Sequence, residues 1–547
     1  MTDMQVTTIP QLLKRSVSLF GEAVAINDGD TVLSYQELGK RVEQATRGMM
    51  ALGVAEGDRV AIWAPNIWEW VVAALGAHGA GGVLVPINTR FKGEEAAYVL
   101  EKSRAKVLFT VEGFLGFDYV KMLRGVRAGG GGEGPVSALP ALETVVVLRG
   151  EVPAETMPWS AFCQLGDGVS FEEAQGRTES VCADALSDIL FTSGTTGAPK
   201  GVMTTHEQNL RAFEAWTEVV GLAAGDRYLI VNPFFHAFGY KAGWLSALMR
   251  GATIFPHAVF DVPSVMERVS AEKITVLPGP PALFQTILGN PRLQEFDLSS
   301  LRLCVTGAAV IPVELIERLG TELHFETIIT GYGLTEACGI ATMCRYDDDP
   351  TTIATTSGRA IPDVEVEVHD ESGAQVPRGE PGELVVRGYN VMQGYFEDEA
   401  QTAQTVDDDG WLHTGDIAVM DQKGYIRITD RKKDMFIMGG FNCYPAEIER
   451  MMLRNEDLVE VAVIGVPDER MGEVGMAYVV AREGSAVDGD SIREWCRETM
   501  ANYKVPRYFE VVSELPHNAT GKVQKFILRE RVASALEVGR IPGSYDV

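Results

Sequence analysis

The chain has 547 residues, with 76 Asp and Glu against 48 Lys and Arg and a formal net charge of −28. That surplus of negative charge makes nucleic acid and anionic membrane surfaces poor main partners. A composition 46% hydrophobic and 23% charged is that of a soluble globular protein, and the length exceeds one ordinary core, so at least two domains are expected.

The opening twenty residues carry Asp3 and lack a long apolar core followed by a cleavage site, so no signal peptide is expected. The most apolar window, 60–85, is interrupted by Pro65, Asn66, Glu69 and His78. It falls short of the ~20 unbroken apolar residues that span a bilayer. Seven cysteines (163, 182, 304, 338, 344, 443 and 496) are scattered without metal-site spacing. Free thiols and a cytoplasmic location are the expectation.

In chain order, residues 1–190 alternate helices with short apolar strands. Thr31-Val-Leu-Ser-Tyr-Gln-Glu-Leu ends a strand and opens a helix, with Ser34 as N-cap and Glu37 completing a capping box. Strands are expected at 59–64, 83–86, 106–111 and 144–148, with a helix at 68–79. Such alternation predicts a largely parallel sheet covered by helices. Residues 128–135, AGGGGEGP, read as a surface insertion within this run. A second run supplies strands at 228–231, 253–255, 274–277, 301–305 and 327–329. Two such halves facing each other bring loops to a shared crevice, where open α/β sheets bind ligands. From Val364 the period-two segments VEVEVHD, GELVVRG and GYIRITD predict a small antiparallel unit. Beyond Asp430 comes an α+β series: helix 445–453, strands 461–464 and 477–481, helix 491–501. The expected domains are 1–429 and 430–547.

The densest chemistry lies in Thr192–Val202, TSGTTGAPKGV, directly after the apolar Ile189-Leu-Phe. Glycines admit close backbone approach, while Thr192, Ser193, Thr195, Thr196 and Lys200 offer donors to phosphate oxygens. Lys200 stands behind Pro199 rather than opening a helix after glycine, so a Walker A loop is disfavoured. No G-x-G-x-x-G follows a strand, which disfavours a dinucleotide oxidoreductase. Gly331-Tyr-Gly-Leu-Thr-Glu336 offers an aromatic face for a base and a carboxylate suited to Mg²⁺. Gly410-Trp-Leu-His-Thr-Gly-Asp416 puts a carboxylate on a tight loop, suited to ribose hydroxyls. Asp430-Arg-Lys-Lys-Asp434 stands at the expected domain junction, followed by the Gly439-Gly440-Phe441 loop. His517-Asn-Ala-Thr-Gly-Lys522 places a lysine near the C-terminus. The acidic triplets 347–349 and 407–409 lack EF-hand spacing and read as solvated loops.

In this order, over residues 10–535, the stretches resemble the adenylate-forming superfamily of acyl-CoA synthetases, luciferase and peptide-synthetase adenylation domains. The resemblance implies the superfamily's α/β fold: a large N-terminal domain of two facing halves plus the antiparallel unit, and a smaller mobile C-terminal domain. It implies an AMP-forming acid–thiol ligase using ATP, Mg²⁺ and CoA. Lys522 would bridge carboxylate and phosphate oxygens; Thr192 and Glu336 would hold Mg²⁺. Ser193, Gly194, Thr195, Thr196, Gly197 and Lys200 would surround the phosphates. Tyr332 would lie on adenine beside Gly333 and Thr335, with Asp416 and Arg431 on the ribose. Asp430 would be the hinge about which Gly439, Gly440 and Phe441 swing in to line a pantetheine tunnel.

The resemblance assigns the acyl pocket to Phe235, Phe238, Tyr240, Gly307, Ala308 and Gly331, with His236 beside the reacting carboxylate. Small residues there leave volume and the phenylalanines supply apolar surface, which favours an apolar acid. Peptide-synthetase domains carry an aspartate near the position of His236, and its absence disfavours α-amino acids. NPFFHAFGYKAG, VLPGPPALFQ, GLTEACGIATMCR and GGFNCYPAEIE are similar to actinobacterial acyl-CoA synthetases of cholesterol breakdown, the type that activates methylhexahydroindanedione propanoate. A medium- or long-chain fatty acid stays open, as do loading of a carrier protein instead of free CoA, and a homodimer.

Overall fold

The computed structural model describes residues 6–127, 139–192, 199–259, 261–307, 311–431, 434–438, 441–468, 471–500, 502–517 and 522–537. The insertion expected at 128–135 lies outside them. The chain divides into two compact units. One takes in the described residues up to 366 and 386–412; the other takes in 367–385 and those from 413 onward.

The first unit is built on two sheets. One has eight strands in the order Gly394–Tyr395, Lys200–Thr205, Leu186–Thr192, Val83–Pro86, Arg59–Trp63, Val107–Thr110, Thr144–Val147 and Met157–Pro158. From Leu186–Thr192 to Met157–Pro158 every pairing is parallel, as the alternating pattern predicts; the two pairings at the other end are antiparallel. Val83–Pro86 and Val107–Thr110 are buried at every position, the signature of strands covered on both faces. Helix Trp68–Gly79 is likewise buried on every side. Ser34 and Glu37 cap helix Tyr35–Ala51 reciprocally, Glu37 N donating to Ser34 Oγ at 3.1 Å and Ser34 N to Glu37 Oε2 at 2.7 Å.

The second sheet contains a strand pair that sequence order does not suggest. Val24–Asp28 and Thr31–Ser34 precede every strand of the first sheet, yet Val24–Asp28 pairs in parallel with Thr253–Pro256, which pairs with Arg227–Ile230. The expected strand at 274–277 is reduced to Val276, which bridges Tyr228 on one side and Leu303 on the other. Prolines at 278, 280 and 281 remove the donors that would extend it. Beyond it follow Leu303–Gly307, Thr327–Tyr332, Thr342–Met343 and Arg359–Ala360.

The second unit shows why its strands are apolar at successive positions. Leu458–Asp468 and Gly472–Ala481 pair antiparallel, and side chains alternate between faces of a strand. One face, with Val461, Val463, Ala477 and Val479, packs on Ile448, Met452, Ile492 and Cys496 of helices Pro445–Met452 and Gly489–Thr499. The other, with Ala462, Ile464, Met476 and Tyr478, packs on Leu528 and Val532 of helix Lys525–Glu537. Tyr508–Val511 adds a parallel strand. The antiparallel sheet expected after Val364 has four strands, Val364–His369, Pro381–Gly388, Leu412–Met420 and Ile426–Arg431. The third was not expected, and it carries Asp416 within a ladder rather than on a tight loop.

No helix among the described residues is long and apolar enough to cross a membrane.

Candidate active site

In the first unit the arms of the phosphate loop, Leu186–Thr192 and Lys200–Thr205, form an antiparallel hairpin with Thr192 opposite Lys200. Thr192 Oγ1 donates to the Lys200 carbonyl at 3.5 Å, the outer limit of such a bond. The outer edge of the hairpin pairs with Gly394–Tyr395, setting Tyr395 opposite Val202. Lys200 Nζ lies 5.2 Å from the Tyr395 ring centroid, within cation–π range. The Tyr395 hydroxyl donates to Glu336 Oε1 at 2.9 Å, and Met392 N donates to the Glu336 carbonyl at 2.9 Å. One tyrosine thereby links the lysine of the phosphate loop to the carboxylate of GYGLTE, 136 positions later in the sequence (336 − 200). Burial, and then the negative charge of Glu336, push the Tyr395 hydroxyl pKa up, so it stays a protonated donor.

Gly307 and Gly331 are register partners at the carboxyl ends of parallel strands Leu303–Gly307 and Thr327–Tyr332. This is where open α/β sheets present ligands. Tyr332 stands opposite Thr342 and is followed by a 3-10 turn over Thr335–Ala337 that projects Glu336. Gly333 is required by contact: a Cβ there would lie 2.1 Å from the Gly339 carbonyl oxygen.

The aromatic loop over 232–240 separates into two sets. Phe235 and Phe238 are half-buried and His236 is exposed. His236 Nδ1 accepts from Phe238 N at 3.2 Å. Phe234 and Tyr240 present no surface. They pack on Trp70 at 5.5 and 6.2 Å, Tyr240 stacks on Trp244 at 4.8 Å, and the Tyr240 hydroxyl pairs with His78 Nε2 at 3.2 Å. The loop is pinned by Asn66, which sequence reasoning treated only as an interruption of an apolar window. Its Nδ2 donates to the carbonyls of Ile230 (3.1 Å) and Asn232 (2.9 Å), and its Oδ1 accepts from Phe234 N (2.8 Å).

In the second unit Asp416 is 3% exposed and is the register partner of Arg431. Its turn is fixed by Thr414 Oγ1 donating to the Leu384 carbonyl at 2.7 Å and by Glu383 accepting from Gly415 N at 3.1 Å. Lys522 is exposed, one residue before the Val523 bridge to His517. Ser193, Gly194, Thr195, Thr196, Gly197, Ala308, Gly439 and Gly440 lie outside the described residues, and Asp430, Arg431 and Phe441 are described by their backbone alone. The acidic triplets make local turns: Asp349 accepts from Thr351 N and Thr352 N to cap a helix, and Asp407 from Asp409 N and Trp411 N.

Comparison with known proteins identifies the family. Residues 13–396 match the AMP-binding enzyme model, and residues 447–522 match the AMP-binding enzyme C-terminal domain. The chain is 49% identical over 528 residues to a 3-[(3aS,4S,7aS)-7a-methyl-1,5-dioxo-octahydro-1H-inden-4-yl]propanoyl:CoA ligase of Rhodococcus jostii, covering 96% of this chain and 99% of the relative. A Mycobacterium tuberculosis ligase of the same name is 47% identical over 523 residues, with 96% and 98% covered. Among solved structures, the anthranilate CoA ligase AuaEII in complex with anthranoyl-AMP superposes with a TM-score of 0.84 at 27% identity, covering 97% of this chain and 98% of that one. The ordered motifs, the paired sheets and these matches agree: the chain belongs to the AMP-binding enzyme family of adenylate-forming enzymes.

Proposed function

We propose that this chain is an ATP-dependent acid–CoA ligase whose acid is a bicyclic propanoate derived from steroid rings. The observation that carries the reading is the 49% identity, spanning nearly both chains, to a ligase named for that acid. A carboxylate is a poor electrophile, so ATP first converts it to an acyl-adenylate with release of pyrophosphate. CoA thiolate then displaces AMP. Negative charge crowds the α-phosphate during in-line attack, and positioning with cations supplies most of the catalysis.

Lys200 and the hydroxyls of the loop that begins at Thr192 are assigned to the β- and γ-phosphates, and Tyr332 with Gly333 and Thr335 to adenine. Asp416 and Arg431 are assigned to the ribose, and His236 to the acid's carboxylate. Phe235, Phe238, Gly307, Ala308 and Gly331 are assigned to the acyl pocket; Tyr240, also expected there, is fully buried against Trp70 and Trp244 and offers it no surface. Glu336, oriented by Tyr395, and Thr192 suit Mg²⁺, because one carboxylate and one hydroxyl fit an ion that takes its remaining ligands from water and substrate phosphates. When bound, Mg²⁺ supplies charge neutralisation at the phosphates. Lys522 joins carboxylate and phosphate oxygens during adenylation. A domain beginning at residue 430 then turns about Asp430, and Gly439, Gly440 and Phe441 meet the pantetheine. The motif order and the C-terminal family match support that assignment.

The test is AMP release dependent on both acid and CoA, with steroid-ring propanoates beside octanoate and palmitate. Preference for a bicyclic propanoate is expected. Equal or better turnover of octanoate or palmitate would overturn the substrate, and transfer to a carrier protein in place of CoA would overturn the acceptor.

A further inference from the structure

Beneath the phosphate hairpin lies a charged pair that no step above uses. Asp188 and Lys241 are both completely buried, with Lys241 Nζ 3.1 Å from Asp188 Oδ1. Asp188 stands opposite Thr204 across the hairpin, four residues before Thr192. Its carboxylate also accepts from Thr204 Oγ1 at 2.8 Å, Ser187 Oγ at 2.9 Å and Asn209 Nδ2 at 2.7 Å. Lys241 Nζ donates to Thr204 Oγ1 at 3.0 Å. Lys241, five residues beyond His236, belongs to the helical segment Phe238–Leu245, which is kinked at Gly243. The carboxylate of Asp188 also helps keep the buried Tyr240 hydroxyl protonated, and its field, with that of Lys241, reaches Cys338, directly after the Glu336 turn.

Desolvating two charges costs several kcal/mol per ion, and an apolar pair of similar volume is often as stable. Stability alone therefore gives little reason to place a lysine at 241. The geometry does: one ion pair joins both strands of the hairpin to the segment that continues the aromatic loop. We infer that Asp188 and Lys241 are positioning residues for adenylation, locking the phosphate hairpin and the His236-bearing loop in one relative placement. The inference rests on the ligase reading, since it concerns how acid and nucleotide are aligned. Misplacement by about 1 Å can cost on the order of 10²-fold in rate.

The test uses the full chain carrying Asp188→Asn with Lys241→Met, and separately Thr204→Val, which keeps the pair and removes its link to the second strand. Thermal unfolding is compared with acid-dependent exchange of pyrophosphate into ATP, resolving kcat from KM. The double variant is expected to unfold within a few degrees of the parent while its exchange kcat falls about tenfold or more, with KM for ATP changing less than about threefold. Thr204→Val is expected to lower kcat roughly threefold at parental unfolding temperature. A folded double variant with parental kcat overturns the inference. If the double variant does not fold, parental kcat in Thr204→Val overturns it and lowered kcat supports it. A parent protein showing no exchange with any acid refutes the ligase reading and takes this inference with it.

Discussion

Asn66→Ala is the sharpest probe of how the first sheet holds the aromatic loop. Asn66 is 4% exposed and spends all its side-chain hydrogen bonds on three backbone groups. After truncation the Ile230 carbonyl still accepts from His257 N at 3.2 Å, so of the three partners two, the Asn232 carbonyl and Phe234 N, keep no other hydrogen bond among the described residues. At about 1–1.5 kcal/mol for each bond left unmade, the expected cost is roughly 2–3 kcal/mol. In a unit of this size that lowers the unfolding temperature by about 2–5 °C. Asn66→Asp keeps the acceptor for Phe234 N but turns a carboxylate toward two carbonyls in a buried site, so it costs more than alanine. Differential scanning fluorimetry gives the order parent, alanine, aspartate, and acid-dependent AMP release falls for both variants well below their melting temperatures. If Asn66→Ala melts within 1 °C of the parent at parental activity, the clamp has no role and the reasoning fails.

Four further outcomes are expected. Tyr395→Phe keeps the ring over Lys200 but removes the bond to Glu336; activity at limiting Mg²⁺ should drop about tenfold, the scale of one charge-assisted bond, and recover at saturating Mg²⁺. Unchanged Mg²⁺ dependence would separate Glu336 from the metal. Gly333→Ala forces a Cβ to 2.1 Å from a backbone oxygen and should abolish measurable ATP binding by calorimetry, at a cost of at least ~1–3 kcal/mol in stability. Lys522→Ala should cut adenylation by about 10²–10³ while supplied acyl-adenylate is still converted to thioester; equal failure of both steps would reject the assigned role. Burial holds the imidazole of His257 down at about 4 and that of His78 at about 3, and lowers that of His206 as well. These rings are neutral in the fold and take up protons only on unfolding, so stability is full above about pH 6.5 and falls as pH drops from there, through about 4 for His257 and toward about 3 for His78. Urea midpoints across that window should show the decline, and His257→Asn should flatten it by about 1.4 kcal/mol per pH unit.

Much of this protein is written in local pattern. The helix expected at 68–79 forms as Trp68–Gly79 and the strand at 83–86 as Val83–Pro86, because their apolar runs suit only buried elements. The Ser34–Glu37 box depends on residues three apart and folds as read. The order of the motifs sufficed for the family, since each is a contiguous stretch whose chemistry travels with it. What the tertiary structure alone decided are the pairings between segments far apart in sequence. Strand Val24–Asp28 joins the sheet of Thr253–Pro256, and Gly394–Tyr395 closes the edge of the phosphate hairpin. Asp416 sits in a strand because its partner ladder lies around Arg431, and no turn signal at 410–416 reveals a ladder. Asp188 in the strand Leu186–Thr192 and Lys241 in the segment Phe238–Leu245 were not singled out by sequence reasoning. A buried charge announces that it has a counterion, but periodicity carries no information about which distant residue supplies it. That choice is made when two sheets and the helices between them pack, and here it sets Lys241 against Asp188 and Asn66 against the loop of His236.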